Sequence, residues 1–273
     1  MCRVLSVSRS GYYRWRSRRE SRRAAENKRL DAHIKAIYKK HKGRYGSPKI
    51  TDELNDMGFK VSKNTVARRM KEAGLRSIVR RKYRTTTDSN HSLPVADNLL
   101  QRDFTTDAPD KVWVSDITYI RTVRGWLYLA VFLDLFSRKI VGWALSSSLS
   151  AEMVLTALHR GIRNRRPGAG LIIHSDRGVQ YACSDFRKAL EKHHFIQSMS
   201  RKGDCWDNAV AESFFATIKS ELIHHHRFNG PEDTLRALFE YIEIYYNRQR
   251  KHFTLGYQTP EQYERSIKSV VCV

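Results

Sequence analysis

The sequence predicts an α/β fold: a mixed five-stranded sheet flanked by helices and preceded by a basic, all-helical region. Three observations carry this expectation. Positive charge is concentrated in the first hundred residues, and apolar residues there recur at the spacing of short helices. Beyond residue 108, runs rich in β-branched and aromatic residues come first in succession and then alternate with helical segments. The 273 residues suffice for one large or two modest domains. The net charge is +22; residues 1–100 hold 26 Lys and Arg against 9 Asp and Glu, and residues 101–273 hold 24 against 19. Such asymmetry concerns partners rather than fold, and nucleic acid is the polyanion that fits it.

Residues 1–76 read as a basic helix-turn-helix region. In SPKITDELNDMG the apolar positions Ile50, Leu54 and Met57 are four and three apart, and Gly58 is placed to end the helix. In SKNTVARRMKEAGL, Ser62 is the expected N-cap, Val66 and Met70 share a face, and Gly74 closes the helix. The second helix would offer Lys63, Asn64, Arg68, Arg69 and Lys71 to phosphates and base edges. A related fragment, VSRSGYYRWRSRR, reads as the second half of a similar unit whose first half is absent. Residues 77–107 lose helical periodicity and read as a linker, basic in its first part.

Residues 108–273 form the expected core. KVWVSDITYI is a strand, and WLYLAVFLDLFSRKIVGWALS makes two more with a turn near LFSRK. SAEMVLTALHRGIRNRR is a helix capped by Ser150, GLIIHSD a short buried strand, CSDFRKALEKHH a helix, and IQSMS a fifth strand. DNAVAESFFATIKSEL is a strong helix, and a final helix runs through PEDTLRALFEYIEIYYNRQR. The apolar run WLYLAVFLDLF carries Asp134 and is too short to span a bilayer. No signal peptide opens the chain, so the reading is a cytoplasmic protein without a membrane partner. The four cysteines are scattered with no CxxC pair, which signals neither a zinc site nor a disulfide framework.

Three carboxylates stand out. Asp116 lies mid-strand among Val112, Val114, Ile117 and Ile120, where a lone carboxylate is costly to bury. Asp176 ends the GLII strand. Glu212 sits at the margin of the helical stripe made by Ala211, Phe214, Phe215, Ile218 and Leu222, on an edge shared with Asn208, Ala216 and Lys219. Two adjacent strands and a helix could bring the three together. At about 4 Å and an effective dielectric near 20, each pair would repel by roughly 4 kcal/mol. Two hard divalent ions would relieve this, and ligands that are all oxygen favour Mg²⁺ or Mn²⁺. His174, two residues before Asp176, would share its face, as a neighbour of the site or as a hydrogen-bonded core histidine. Asp134 reads as structural, paired with Arg138, and the run His224–His226 as surface.

On WVSDITYI, HSDRGVQY and DNAVAESFFATIKSEL the chain resembles the DDE transposases of bacterial insertion sequences, within the retroviral-integrase-like superfamily. The family interval of 35 residues separates Asp176 from Glu212, and Lys219 follows the glutamate by seven. GRYGSPKITDELN, SRSGYY and YNRQRKHFTLGYQTPEQYE extend the likeness to the OrfB-type proteins of insertion-sequence family three. The resemblance implies an RNase H-like core that holds two Mg²⁺ ions through Asp116, Asp176 and Glu212. It also implies single-strand cleavage at the element's ends, strand transfer by a 3′-hydroxyl without a covalent enzyme intermediate, and Lys219 near the scissile phosphate. Implied partners are terminal-repeat and target DNA, a homodimer or higher assembly, and an upstream OrfA protein or fused segment. Two rival functions are a stand-alone RNase H-like nuclease and a helix-turn-helix regulator without catalysis.

Overall fold

The computed structural model describes residues 2, 4–17, 21–78, 94–201 and 205–271, and the chain divides into two compact units, Met1–Ile78 and Val79–Val273. The basic stretch 79–93, residues 202–204 and Cys272 lie outside the described residues.

The first unit contains α1 (Arg9–Arg16), α2 (Arg22–Lys40), α3 (Ser47–Asp56) and α4 (Lys63–Glu72). The expected helix pair is α3 and α4. The Ser62 hydroxyl accepts from the Thr65 N–H at 3.2 Å, which caps α4, and Gly58 and Gly74 take the left-handed conformation just after the two helices. Ile50, Leu54, Val66 and Met70 are buried together with Leu30, Ile34 and Ile37 of α2. Met57 is not part of that core: it lies past the end of α3 and is exposed. A buried polar link adds to the unit, because Glu53 of α3 binds His41 at 2.7 Å while His41 stacks on Tyr45.

In the second unit, β1 (Val112–Thr122), β2 (Gly125–Asp134) and β3 (Ile140–Ser146) form an antiparallel meander. After α5 (Ala151–Arg165) the chain adds β4 (Ile172–Ser175), parallel to β1. Beyond the short α6 (Val179–Ala182) and α7 (Ser184–Lys192) it adds β5 (Ile196–Met199), parallel to β4. The sheet order is β3-β2-β1-β4-β5. One face is covered by α5 and α7, whose Val154, Leu158 and Phe186 belong to one core with Trp113, Phe132 and Ile173. A second packing helix, α8 (Ala209–Glu221), lies against β1.

Gly142 of β3 shows how closely α5 approaches: a Cβ there would fall 2.2 Å from the Ala157 carbonyl oxygen and 2.7 Å from the Gly161 nitrogen. Both are backbone atoms, so neither can swing aside. Gly142→Ala is therefore expected to lower the stability of this unit by about 3 kcal/mol or more in urea unfolding, at the upper end for overpacking.

Three local expectations need correction. The helix over 231–250 is not uniform: α9 (Pro231–Phe239) widens into a π-helical segment, Glu240–Tyr246, which buries Tyr241, Tyr245 and Tyr246. A further helix, α10 (Pro260–Val271), follows it. Asp134 is buried but is not held by the Arg138 side chain. Its oxygens accept from the Asp110 and Ser137 N–H groups and the Ser137 hydroxyl, and burial raises its pKa to about 6. The Arg138 guanidinium instead reaches the Phe104 carbonyl. The segment before β1 is fastened to the sheet, with Leu100 buried and the Leu99 N–H donating to the Ser198 hydroxyl at 3.0 Å. Among the described residues no helix is long and apolar enough to cross a membrane.

Candidate active site

The site begins with strand register. In the parallel pair β1/β4, Val112 faces Ile172, Trp113 faces Ile173 and Val114 faces His174. β4 ends at Ser175, so Asp176 leaves the sheet next to the stretch of β1 that carries Asp116, and its charge reaches that carboxyl. Neither aspartate is fully covered. Each turns one oxygen to the backbone: Asp116 Oδ1 accepts from the Ile117 N–H at 2.7 Å, and Asp176 Oδ1 accepts from the Gly178 N–H at 2.9 Å.

Glu212, in the first turn of α8, is the third carboxylate. The apolar stripe of this helix is buried as its spacing requires, through Ala211, Phe214, Phe215 and Ile218, which leaves Glu212 and Lys219 half-buried at its edge. The electrostatics tie the four groups together. Burial, then the negative charge of Asp176, and less strongly that of Glu212, hold the Asp116 carboxyl well above the usual carboxylate range, while Lys219 pulls it down. Burial pushes Glu212 up as well. It pushes Lys219 down, partly offset by Asp116. Lys219 thus belongs to the acidic cleft rather than to the solvated side of its helix.

Among the described residues no group of three or more His, Cys, Asp or Glu side chains is gathered closely enough to hold a metal ion. The donor chemistry nevertheless fits a hard divalent cation. Asp116, Asp176 and Glu212 offer carboxylate oxygen only, and the half-buried Asp116 is disfavoured as an anion by desolvation and then by the other two.

Behind these groups lies a support that the sequence did not disclose. His174 is fully buried and joins Ser198 Oγ (Nδ1, 2.9 Å) to the Asp207 carbonyl (Nε2, 2.9 Å). A carbonyl can only accept, so Nε2 carries the hydrogen. Nδ1 then accepts from Ser198, whose own oxygen accepts from Leu99 N–H. Burial lowers the His174 pKa, in keeping with this neutral tautomer. His174 is therefore a core histidine that fixes the chain just ahead of α8. The buried Asp207 carboxylate takes bonds from the Arg201 backbone and guanidinium, from Asn98 Nδ2 at 2.8 Å and from Arg102 Nε at 3.3 Å. The hydrogen bonds from Arg201 hold it well below the usual range.

Two residues expected at a DNA surface are placed elsewhere. Asn208 is buried, and its amide donates to the Ser115 carbonyl at 3.2 Å, bracing the start of α8 against the residue before Asp116. Arg69 is held within the first unit, where its guanidinium grips the Asp31 carboxylate through two nitrogens and Glu72 at 3.0 Å. Lys63, Asn64 and Arg68 are exposed on α4. Arg69→Ala should therefore cost the first unit about 1–2 kcal/mol, whereas Arg68→Ala should leave its stability within about 0.5 kcal/mol and weaken DNA binding. Thermal unfolding and binding anisotropy on both variants check this division. His224, His225 and His226 are exposed; His225 binds the Ser220 carbonyl, and His226 stands 3.8 Å from Asp233.

Two models described as "Integrase core domain" match residues 106–205 and 194–260, and one described as "HTH-like domain" matches 25–83. The chain is 45% identical over 260 residues to "Insertion element IS600 uncharacterized 31 kDa protein" of Shigella sonnei, covering 95% of this chain and 96% of that protein. It is 42% identical over 266 residues to "Transposase InsF for insertion sequence IS3A" of Escherichia coli strain K12, covering 97% of this chain and 92% of that one. Among solved structures, an intasome of simian T-cell lymphotropic virus, in complex with the PP2A regulatory subunit B56 gamma, shares the fold. Its TM-score is 0.50 at 14% identity, over 85% of this chain and 73% of that one. Such identity along nearly the full length of both sequence relatives leaves no ambiguity of kinship: the chain belongs to the family of IS3-type insertion-sequence transposases.

Proposed function

We propose that this transposase cuts one strand at each end of its element and joins the freed 3′-hydroxyl to target DNA, with Asp116, Asp176 and Glu212 as the catalytic carboxylates. The observation that carries the reading is the acidic cleft itself: three carboxylates from two neighbouring strands and one helix, with Lys219 as the cation among them. These three would hold a pair of Mg²⁺ ions, with Mn²⁺ as an alternative. When bound, such ions supply Lewis acidity that activates the attacking water or 3′-hydroxyl and stabilises the leaving oxygen. Lys219 binds a phosphate next to the cleaved bond. His174, Asn208 and Asp207 hold the start of α8 so that Glu212 keeps its place opposite the aspartates. Lys63, Asn64 and Arg68 contact DNA through α4. The active form is a dimer or larger assembly, because two element ends must be processed together, and an upstream-frame OrfA protein or fused segment takes part in end recognition. The expected location is the bacterial nucleoid.

The test is to incubate the protein with an end-labelled duplex from its element's terminus and Mg²⁺, then resolve the products. Nicked and joined strands support the proposal; unselective degradation would indicate a nuclease, and binding without any product a regulator.

A further inference from the structure

The outer face of the β1–β2 hairpin plays no part in the cleft described above, yet its composition is unusual for an exposed sheet. The antiparallel register pairs Tyr119 with Tyr128 and Arg121 with Trp126. Strand alternation puts these four on one face, opposite to that of the buried Thr118 and Ile120. Tyr119 is 40% exposed and Trp126 55%. The two tyrosine rings meet edge to face with centroids 5.4 Å apart. Residues 117–133 include Arg121 and Arg124 but no Asp or Glu. The hairpin is also braced, since Thr122 bridges to Phe228 and the Val123 N–H donates to the Phe228 carbonyl at 2.9 Å.

Tyr119 follows Asp116 by three residues, about 10 Å along the strand. Alternation turns the two side chains to opposite faces, and the two faces meet at the edge of β1 beyond the end of β4 at Ser175, around which a strand could pass from the cleft to the aromatic face. The Tyr119 phenol is pushed up by burial and by Tyr128, then by Asp176 and Asp116, so it senses both aspartates. Rigid exposed aromatics with arginine and no carboxylate suit the π-face of a nucleobase whose phosphate lies alongside.

We propose that Tyr119, Trp126 and Tyr128, together with Arg121, form a shelf on which unpaired bases of a DNA strand stack while that strand's phosphate is held at the carboxylate cleft. The inference rests on the proposed function for the position of the strand. It adds a site for strand separation at the DNA end.

The test uses the full chain in EDTA and two fluorescent probes of the same sequence, one a blunt duplex and one with a short splayed end. Wild type should prefer the splayed probe. The double variant Tyr119→Ala, Trp126→Ala should lose that preference by about 10-fold or more, while its affinity for the blunt duplex stays within about twofold. Its salt dependence should not change, because no phosphate contact is removed. Tyr119→Phe should behave as wild type, since stacking needs the ring and not the hydroxyl. A double variant that keeps the preference, or that loses both probes equally with its circular dichroism intact, would overturn the shelf. Because no divalent ion is present, that failure would leave the carboxylate assignment standing, and a wild type inactive in cleavage would leave the binding result standing.

Discussion

Asp116→Asn is expected to abolish strand cleavage and joining, by on the order of 10³-fold or more, the scale on which one member of a cooperating catalytic group is lost. Binding of DNA ends should persist. The same change should raise the thermal midpoint of the second unit. Asp116 is half-buried near Asp176 and Glu212, and its negative charge is opposed by both. At contact distance each such pair would cost roughly 4 kcal/mol, and at the wider spacing of an unclosed cage on the order of 1 kcal/mol. For a unit of this size, about 1 kcal/mol corresponds to a gain of about 2–4 °C. An inactive and destabilised variant would mean that Asp116 serves the fold. A more stable and inactive one marks a group retained for chemistry.

Asp207→Ala should have the next largest effect, and of opposite sign for stability. Its carboxylate is fully buried and joins three stretches of chain: the segment carrying Asn98 and Arg102, Arg201 after β5, and the turn that opens α8. Removing it strands Asn98 Nδ2 and the Arg201 N–H, for an expected loss of about 3 kcal/mol. Cleavage should fall as well, because Glu212 lies on the next turn of chain, yet Asp207 touches no reacting atom. Excess Mg²⁺ should restore part of the lost rate if the fault is a misplaced Glu212, and none of the lost stability. The pH dependence follows from the depressed pKa. The contribution of Asp207 is complete above its unfolded value near 4 and fades as pH falls towards the lower folded value. Wild type and variant should therefore converge in stability on acidification, in urea titrations between neutral pH and the acid limit of folding.

Much of this site was legible in the linear sequence because it depends on local periodicity. The β-branched run around Asp116 and the GLII run before Asp176 could only be strands, and the Phe214, Phe215 and Ile218 spacing could only be a helix with Glu212 and Lys219 at its margin. What stayed hidden was set by partners distant in the chain. Asn208 follows the same helical edge as Lys219, but the edge passes under β1 at its first turn, so the amide meets the Ser115 carbonyl instead of solvent. Arg69 looks like its exposed neighbour Arg68, and only the placement of Asp31 on α2 distinguishes them. Asp207 merely opens the helical run DNAVAESFFATIKSEL, and only the folded chain brings Asn98, Arg102 and Arg201 around it. Asp134 was recognised as structural, but the backbone of a tight turn satisfied it before the Arg138 side chain could. The π-helical stretch after α9 has the same apolar content as an α-helix, so sequence spacing alone does not reveal the widened turn.

The most direct test of the account is anomalous diffraction from crystals of the full chain grown with Mn²⁺, compared with Asp116→Asn crystals treated alike. Anomalous peaks bounded by Asp116, Asp176 and Glu212, and lost in the variant, are the predicted result. Manganese bound elsewhere, or no peak between these carboxylates at saturating Mn²⁺ in an enzyme that still cuts DNA, would contradict it.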